Sequence, residues 1–148
     1  GYWGKNLVRN FAVAEGCTLA MVCDADASIR DRTARDFPDV RVVDRYEAVL
    51  EATDVDAVVL ATPGSTHAAL AMQALRAGKD VFVEKPIAQT VADARELQQY
   101  AAEHGRVLMV GHLMLFHPAV ERVVEIVRAG ACAPTRTRCG RSARTTCR

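Results

Sequence analysis

Val81-Phe82-Val83-Glu84-Lys85-Pro86 is the stretch on which the reading of this chain turns. Three β-branched or aromatic residues in succession predict a buried parallel strand, apolar throughout and without alternation. Pro86 biases Lys85 toward extended backbone and removes an amide donor, so regular strand ends there. In an open α/β sheet the ligand crevice lies outside the carboxyl ends of the strands. The stretch therefore predicts an ammonium group, that of Lys85, at the lip of a crevice. A surface lysine that merely ends a strand is the plain alternative, and the rest of the chain has to choose.

Working outward, residues 57–61 read as a strand broken by Thr62-Pro63-Gly64. Ser65 is a plausible cap for a helix to residue 77, closed by Gly78. On the other side Thr90 caps a helix to about residue 104, closed by Gly105. A strand over 107–110 and a helix over 118–129 follow. Toward the amino end, Leu7, Val8 and Phe11 recur at helical spacing directly after Gly4, and Gly16 stops that helix. Residues 18–23 predict a strand, 28–36 a helix barred by Pro38, 41–43 a strand and 46–52 a short helix. This alternation means βαβ units. The predicted fold class is α/β, a Rossmann-type doubly wound parallel sheet.

Gly1-x-x-Gly4 at a helix start is the second half of a G-x-G-x-x-G fingerprint. Its glycines let backbone approach a pyrophosphate and let helix pack on sheet, while the helix N-terminus favours the anion. Tyr2 and Trp3, between the two glycines, are counted with this cofactor-binding turn. The first glycine and its strand would precede Gly1, so the sheet is expected to lack its first strand, which lies mid-sheet in the doubly wound order. Asp24, 23 residues after Gly1 and at the end of the next strand, stands where an acid accepts hydrogen bonds from an adenosine ribose. A carboxylate there repels a 2′-phosphate, so NAD is expected in preference to NADP; Arg30 keeps NADP open. Asp26 is the expected helix cap.

With these residues in order, Glu84-Lys85-Pro86 resembles the Glu-Lys-Pro signature of the glucose-fructose oxidoreductase / inositol dehydrogenase (Gfo/Idh/MocA) family. Thr62-Pro63, with His67 five residues after the threonine, resembles the family loop that borders the nicotinamide half of the cofactor. Taken without the resemblance, His67 is as readily a solvated surface histidine. Gly111-His112 and Phe116-His117-Pro118-Ala119 look like the corresponding elements of members that act on nucleotide sugars, such as UDP-N-acetylglucosamine (or its uronate) 3-dehydrogenases. The resemblance spans residues 1–130. It implies a hydride transfer from a sugar or nucleotide-sugar hydroxyl to NAD, with Lys85 and His112 as catalytic residues. It implies Gly1, Tyr2, Trp3, Gly4, Asp24, Thr62, Pro63, His67, Glu84 and Lys85 at the cofactor. It also implies a homo-oligomeric parent protein and a substrate domain following the nucleotide domain. No such domain follows here, and the chain alone is expected to lack turnover. A non-catalytic NAD-binding or sensing module is the reading of another class.

Charge divides the chain. Residues 1–130 carry 14 Lys/Arg against 18 Asp/Glu, whereas residues 131–148 carry five arginines and no acid. This tail has no periodic pattern and is expected to be disordered, as a peptide segment or as an out-of-frame end. Its arginines could hold phosphates without specificity, but no aromatic residue interleaves them, so no nucleic-acid partner is expected. No apolar run approaches the roughly 20 residues of a membrane span and no leader is evident, so a cytoplasmic protein is expected. The five cysteines match no metal spacing and no metal is expected; Cys17 and Cys23 are read as small core residues. Short-chain dehydrogenase chemistry is disfavoured because Y-x-x-x-K occurs nowhere.

Overall fold

The structure is a computed structural model that describes residues 3–130. Gly1, Tyr2 and the 131–148 tail, with its arginines and Cys132, Cys139 and Cys147, lie outside the described residues. The chain divides after Gly111 into two compact units. In the first, α1 (Gly4–Val13) leads to β1 (Met21–Cys23), α2 (Ala27–Asp36), β2 (Arg41–Val43) and α3 (Tyr46–Glu51). Then come β3 (Ala57–Leu60), a 3-10 turn (Gly64–Thr66), α4 (His67–Arg76), β4 (Asp80–Val83), α5 (Val91–Glu103) and β5 (Leu108–Val110).

All strand pairs are parallel, and they form two sheets, β1-β2 and β3-β4-β5. β1 and β3 each pair on one side only among the described residues. The core is gathered on one face of the larger sheet. Val58 and Leu60 of β3 and Val81 and Val83 of β4 meet Ala71, Ala74 and Leu75 of α4 and Leu97 and Ala101 of α5. β4 therefore alternates, contrary to the continuous buried run expected from its sequence. Phe82 points to the opposite face and is only half-buried, because one ring, Phe11 of α1, meets it edge-on at 6.3 Å between centroids. No residue of α1 is buried.

Local chemistry explains the element ends. Asp26 caps α2 by accepting from the Ser28 amide at 2.8 Å, and Thr90 caps α5 by accepting from the Asp93 amide at 3.1 Å. Ser65 caps nothing: the chain after Pro63 first makes the 3-10 turn, and α4 begins at His67 with Thr66 at its N-cap. Cys17 is exposed rather than a core residue, while Cys23 is half-buried. The second unit, from His112, holds a 3-10 turn (Leu113–Phe116) that periodicity did not suggest and α6 (Pro118–Arg128), capped by His117 Nδ1 accepting from the Ala119 amide at 3.1 Å. No helix among the described residues is long and apolar enough to cross a membrane.

Candidate functional site

The carboxyl ends of β3, β4 and β5 carry the segments 61–67, 84–86 and Gly111, and the start of α1 meets them there. A Cβ built on Gly4 would lie 3.8 Å from Ala61 Cβ, an ordinary contact. The helix thus reaches the end of β3, but close packing does not itself demand glycine at this position. One residue earlier, the indole Nε1–H of Trp3 donates to Glu84 Oε1 at 2.5 Å. The fingerprint turn and the end of β4 are therefore hydrogen-bonded neighbours, 81 residues apart in sequence.

Glu84 is 8% exposed, so its carboxylate is held inside the fold rather than offered to solvent. Besides the Trp3 indole, it accepts from the backbone N–H of Lys85 at 3.3 Å. Its other neighbour is Gly111, where a Cβ would stand 3.1–3.2 Å from the three carboxylate atoms. Sequence reasoning did not give Gly111 this function; its signal is a glycine immediately after a strand, a place where another group comes close to backbone. Lys85 itself is exposed, and the peptide joining it to Pro86 is cis.

His67 is neither a solvated surface residue nor a ring offered to an open groove. It is 1% exposed, with Nδ1 2.7 Å from the Pro86 carbonyl oxygen and Nε2 2.8 Å from that of Thr62. A neutral imidazole donates to one of these oxygens and an imidazolium to both; in either case the ring spans the two loops. Gly64 sits under the same proline, 3.2 Å from Pro86 Cδ if given a Cβ. Thr62 and Pro63 are exposed at the rim, with the Thr66 hydroxyl 2.8 Å from Thr62 Oγ1.

Asp24 follows β1. Its amide donates to Val43 O at 3.2 Å, its Oδ1 accepts from the Asp26 amide at 2.9 Å, and its carbonyl accepts from Arg30 Nη1 at 3.0 Å. Arg30 also donates to Ala25 O, so its guanidinium shapes the turn that presents the Asp24 carboxylate. Burial pushes the neighbouring Cys23 thiol up, with the Asp24, Asp44 and Glu47 carboxylates adding to the effect. His112 opens the second unit, exposed, its carbonyl accepting from the Leu115 amide at 3.0 Å.

A dinucleotide fits this donor set. The first-turn amides of α1 suit an anion such as a pyrophosphate, the Asp24 carboxylate after β1 is an acceptor of the kind an adenosine ribose needs, and Lys85, next to the Trp3-bonded Glu84, is exposed. Residues 1–112 match the oxidoreductase family Gfo/Idh/MocA, NAD-binding Rossmann fold. The chain is 39% identical over 110 residues, 74% of its length and 32% of the relative's, to a dTDP-3,4-didehydro-2,6-dideoxy-alpha-D-glucose 3-reductase of Streptomyces violaceoruber. Scyllo-inositol dehydrogenase from Lactobacillus casei with bound NAD(H) and scyllo-inositol superposes with TM-score 0.78 at 26% identity, covering 88% of this chain and 39% of that one. A 3-ketoreductase from Actinomadura kijaniata in complex with TDP-benzene and NADP gives 0.78 at 29% identity, covering 85% and 40%. The chain spans about a third of the length of the curated relatives it matches.

Proposed function

Since the chain belongs to the Gfo/Idh/MocA oxidoreductases as their NAD-binding Rossmann domain, we propose that it serves hydride transfer between a sugar or nucleotide-sugar carbinol and NAD, with Lys85 assisting. The observation that carries this reading is the Trp3–Glu84 hydrogen bond, which sets the turn for the pyrophosphate against the residue preceding Lys85. NAD, when bound, supplies the hydride acceptor. The chain's own residues bind, orient and move the proton.

In this reading the α1 N-terminus and Gly4 take the pyrophosphate, and Asp24 takes the adenosine ribose. Its carboxylate disfavours a 2′-phosphate, so NAD is preferred over NADP. Thr62 and Pro63 border the nicotinamide half. Lys85 Nζ hydrogen-bonds the reacting hydroxyl and serves in relaying its proton, and His112 is the second candidate catalytic residue. The nucleotide domain extends to about residue 130. Dehydrogenase and reductase are the two directions of one reaction, and a sugar ring or a nucleotide sugar is the substrate class that the relatives' names support.

The test is titration of the full-length protein with NAD and NADP, followed by turnover assays on inositols and nucleotide sugars. NAD binding tighter than NADP, weakened about tenfold by Asp24→Ala, with NADH formed from one of these polyols, is the expected result. NAD binding without turnover on any of them would favour a sensing module instead.

A further inference from the structure

Both residues that flank Lys85 are tied down, and to different loops. On one side the Glu84 carboxylate is buried against Gly111 and receives the Trp3 indole N–H and the Lys85 amide. On the other, the Pro86 carbonyl lies 2.7 Å from His67 Nδ1, while His67 Nε2 reaches Thr62 O. Of the two charged residues in this run, Glu84 is buried and Lys85 is exposed. A lysine on a flexible stem costs rotamer entropy when it must hold one pose. Fixing its backbone from both sides leaves only the side-chain torsions to be ordered when substrate arrives.

We propose that Trp3, Glu84 and His67 are positioning residues that clamp the Lys85 backbone, rather than groups that touch the cofactor. The inference rests on the reading of Lys85 given above. Two features support acting through Lys85 instead of on the dinucleotide. The Glu84 carboxylate is enclosed, and a negative charge beside a pyrophosphate would oppose binding. The His67 ring nitrogens already face two carbonyl oxygens, leaving neither directed outward. Trp3 is 41% exposed, so its ring adds little to the core, yet its one polar atom is committed to a buried partner.

The experiment is a double-mutant cycle in the full-length protein with NAD and whichever polyol it oxidises. Trp3→Phe keeps an aromatic ring and removes the N–H. It is expected to lower kcat about tenfold while the NAD dissociation constant moves less than twofold. His67→Gln, which retains a side-chain donor, is expected to keep more activity than His67→Ala. In a Lys85→Ala background, Trp3→Phe should cost nothing further, because the residue it positions is gone. Full additivity of the two losses would overturn the proposal, as would a Trp3→Phe effect seen in NAD affinity with kcat unchanged. If Lys85→Ala itself leaves kcat intact, the reading of Lys85 fails first, and the clamp fails with it. A second readout needs no turnover. Trp3 is the single tryptophan of the chain, so Glu84→Gln should shift its emission while the exposed Glu96→Gln leaves it in place. Identical spectra for the two variants would contradict the Trp3–Glu84 contact.

Discussion

The two ends of β4 each carry a lysine, and the two are used in opposite ways. At the amino end Lys79 is buried, and its ammonium donates to the carbonyl oxygens of Ala52 at 2.6 Å and Val55 at 2.7 Å. Around it, Arg106 donates to Gly78 O, the Val107 amide donates to Asp80 Oδ1, and Arg41 pairs with Asp54 at 2.6 Å. Charge there is spent on joining loops. At the carboxyl end the joining is done by Glu84, Trp3 and His67, and Lys85 stays exposed. A satisfied lysine is scaffold; an exposed one on a braced backbone is available for chemistry.

Removing each lysine should break that contrast most sharply. Lys85→Ala is expected to lower turnover about 10²–10⁴-fold, with unfolding free energy changed by less than about 0.5 kcal/mol, checked by steady-state kinetics beside urea denaturation. Lys79→Met should do the reverse. It strips two buried carbonyls of a charged donor, a loss of about 2–3 kcal/mol by denaturation, with the NAD dissociation constant of the folded protein unchanged. Next in size, Gly111→Ala pushes a methyl against the enclosed Glu84 carboxylate. About 1 kcal/mol of destabilisation is expected, together with altered Trp3 emission.

The smallest effect concerns acid. The Arg41 hydrogen bond holds the Asp54 carboxyl below the usual carboxylate range, while solvent exposure keeps the pair weak. A carboxyl lowered on folding stabilises the folded state above its unfolded pKa, and that contribution disappears as pH falls through the lowered value. Stability should therefore decline as pH drops below about 3.8, and Arg41→Gln should flatten the decline slightly, as followed by far-UV circular dichroism.

Much of the fold was legible because its signals are local. Pro38, Gly78 and Gly105 end helices, Asp26 and Thr90 begin them, and β2 over Arg41–Val43 lies where β-branched residues predict it. Ser65 misled because the cap preference says nothing of a 3-10 turn inserted before α4. The alternation in β4 was hidden for a different reason: Phe82 is as apolar as its neighbours, and only the thin cover from α1 distinguishes its face. At the site, residue types pointed to Lys85, Asp24 and the glycine turn. What they could not convey was direction. Whether Glu84, His67 and Trp3 aim outward at a ligand or inward at partners within the fold depends on contacts between segments up to 81 residues apart.

On this proposal the dinucleotide turn and the Lys85 amine serve one crevice. A crystal structure of the full-length protein with NAD tests it most directly. The pyrophosphate is expected on the α1 N-terminus, with Lys85 Nζ within about 2.6–3.2 Å of the nicotinamide ribose or of the bound substrate's hydroxyl. A nicotinamide seated away from Lys85, with the Trp3–Glu84 bond intact, would contradict it.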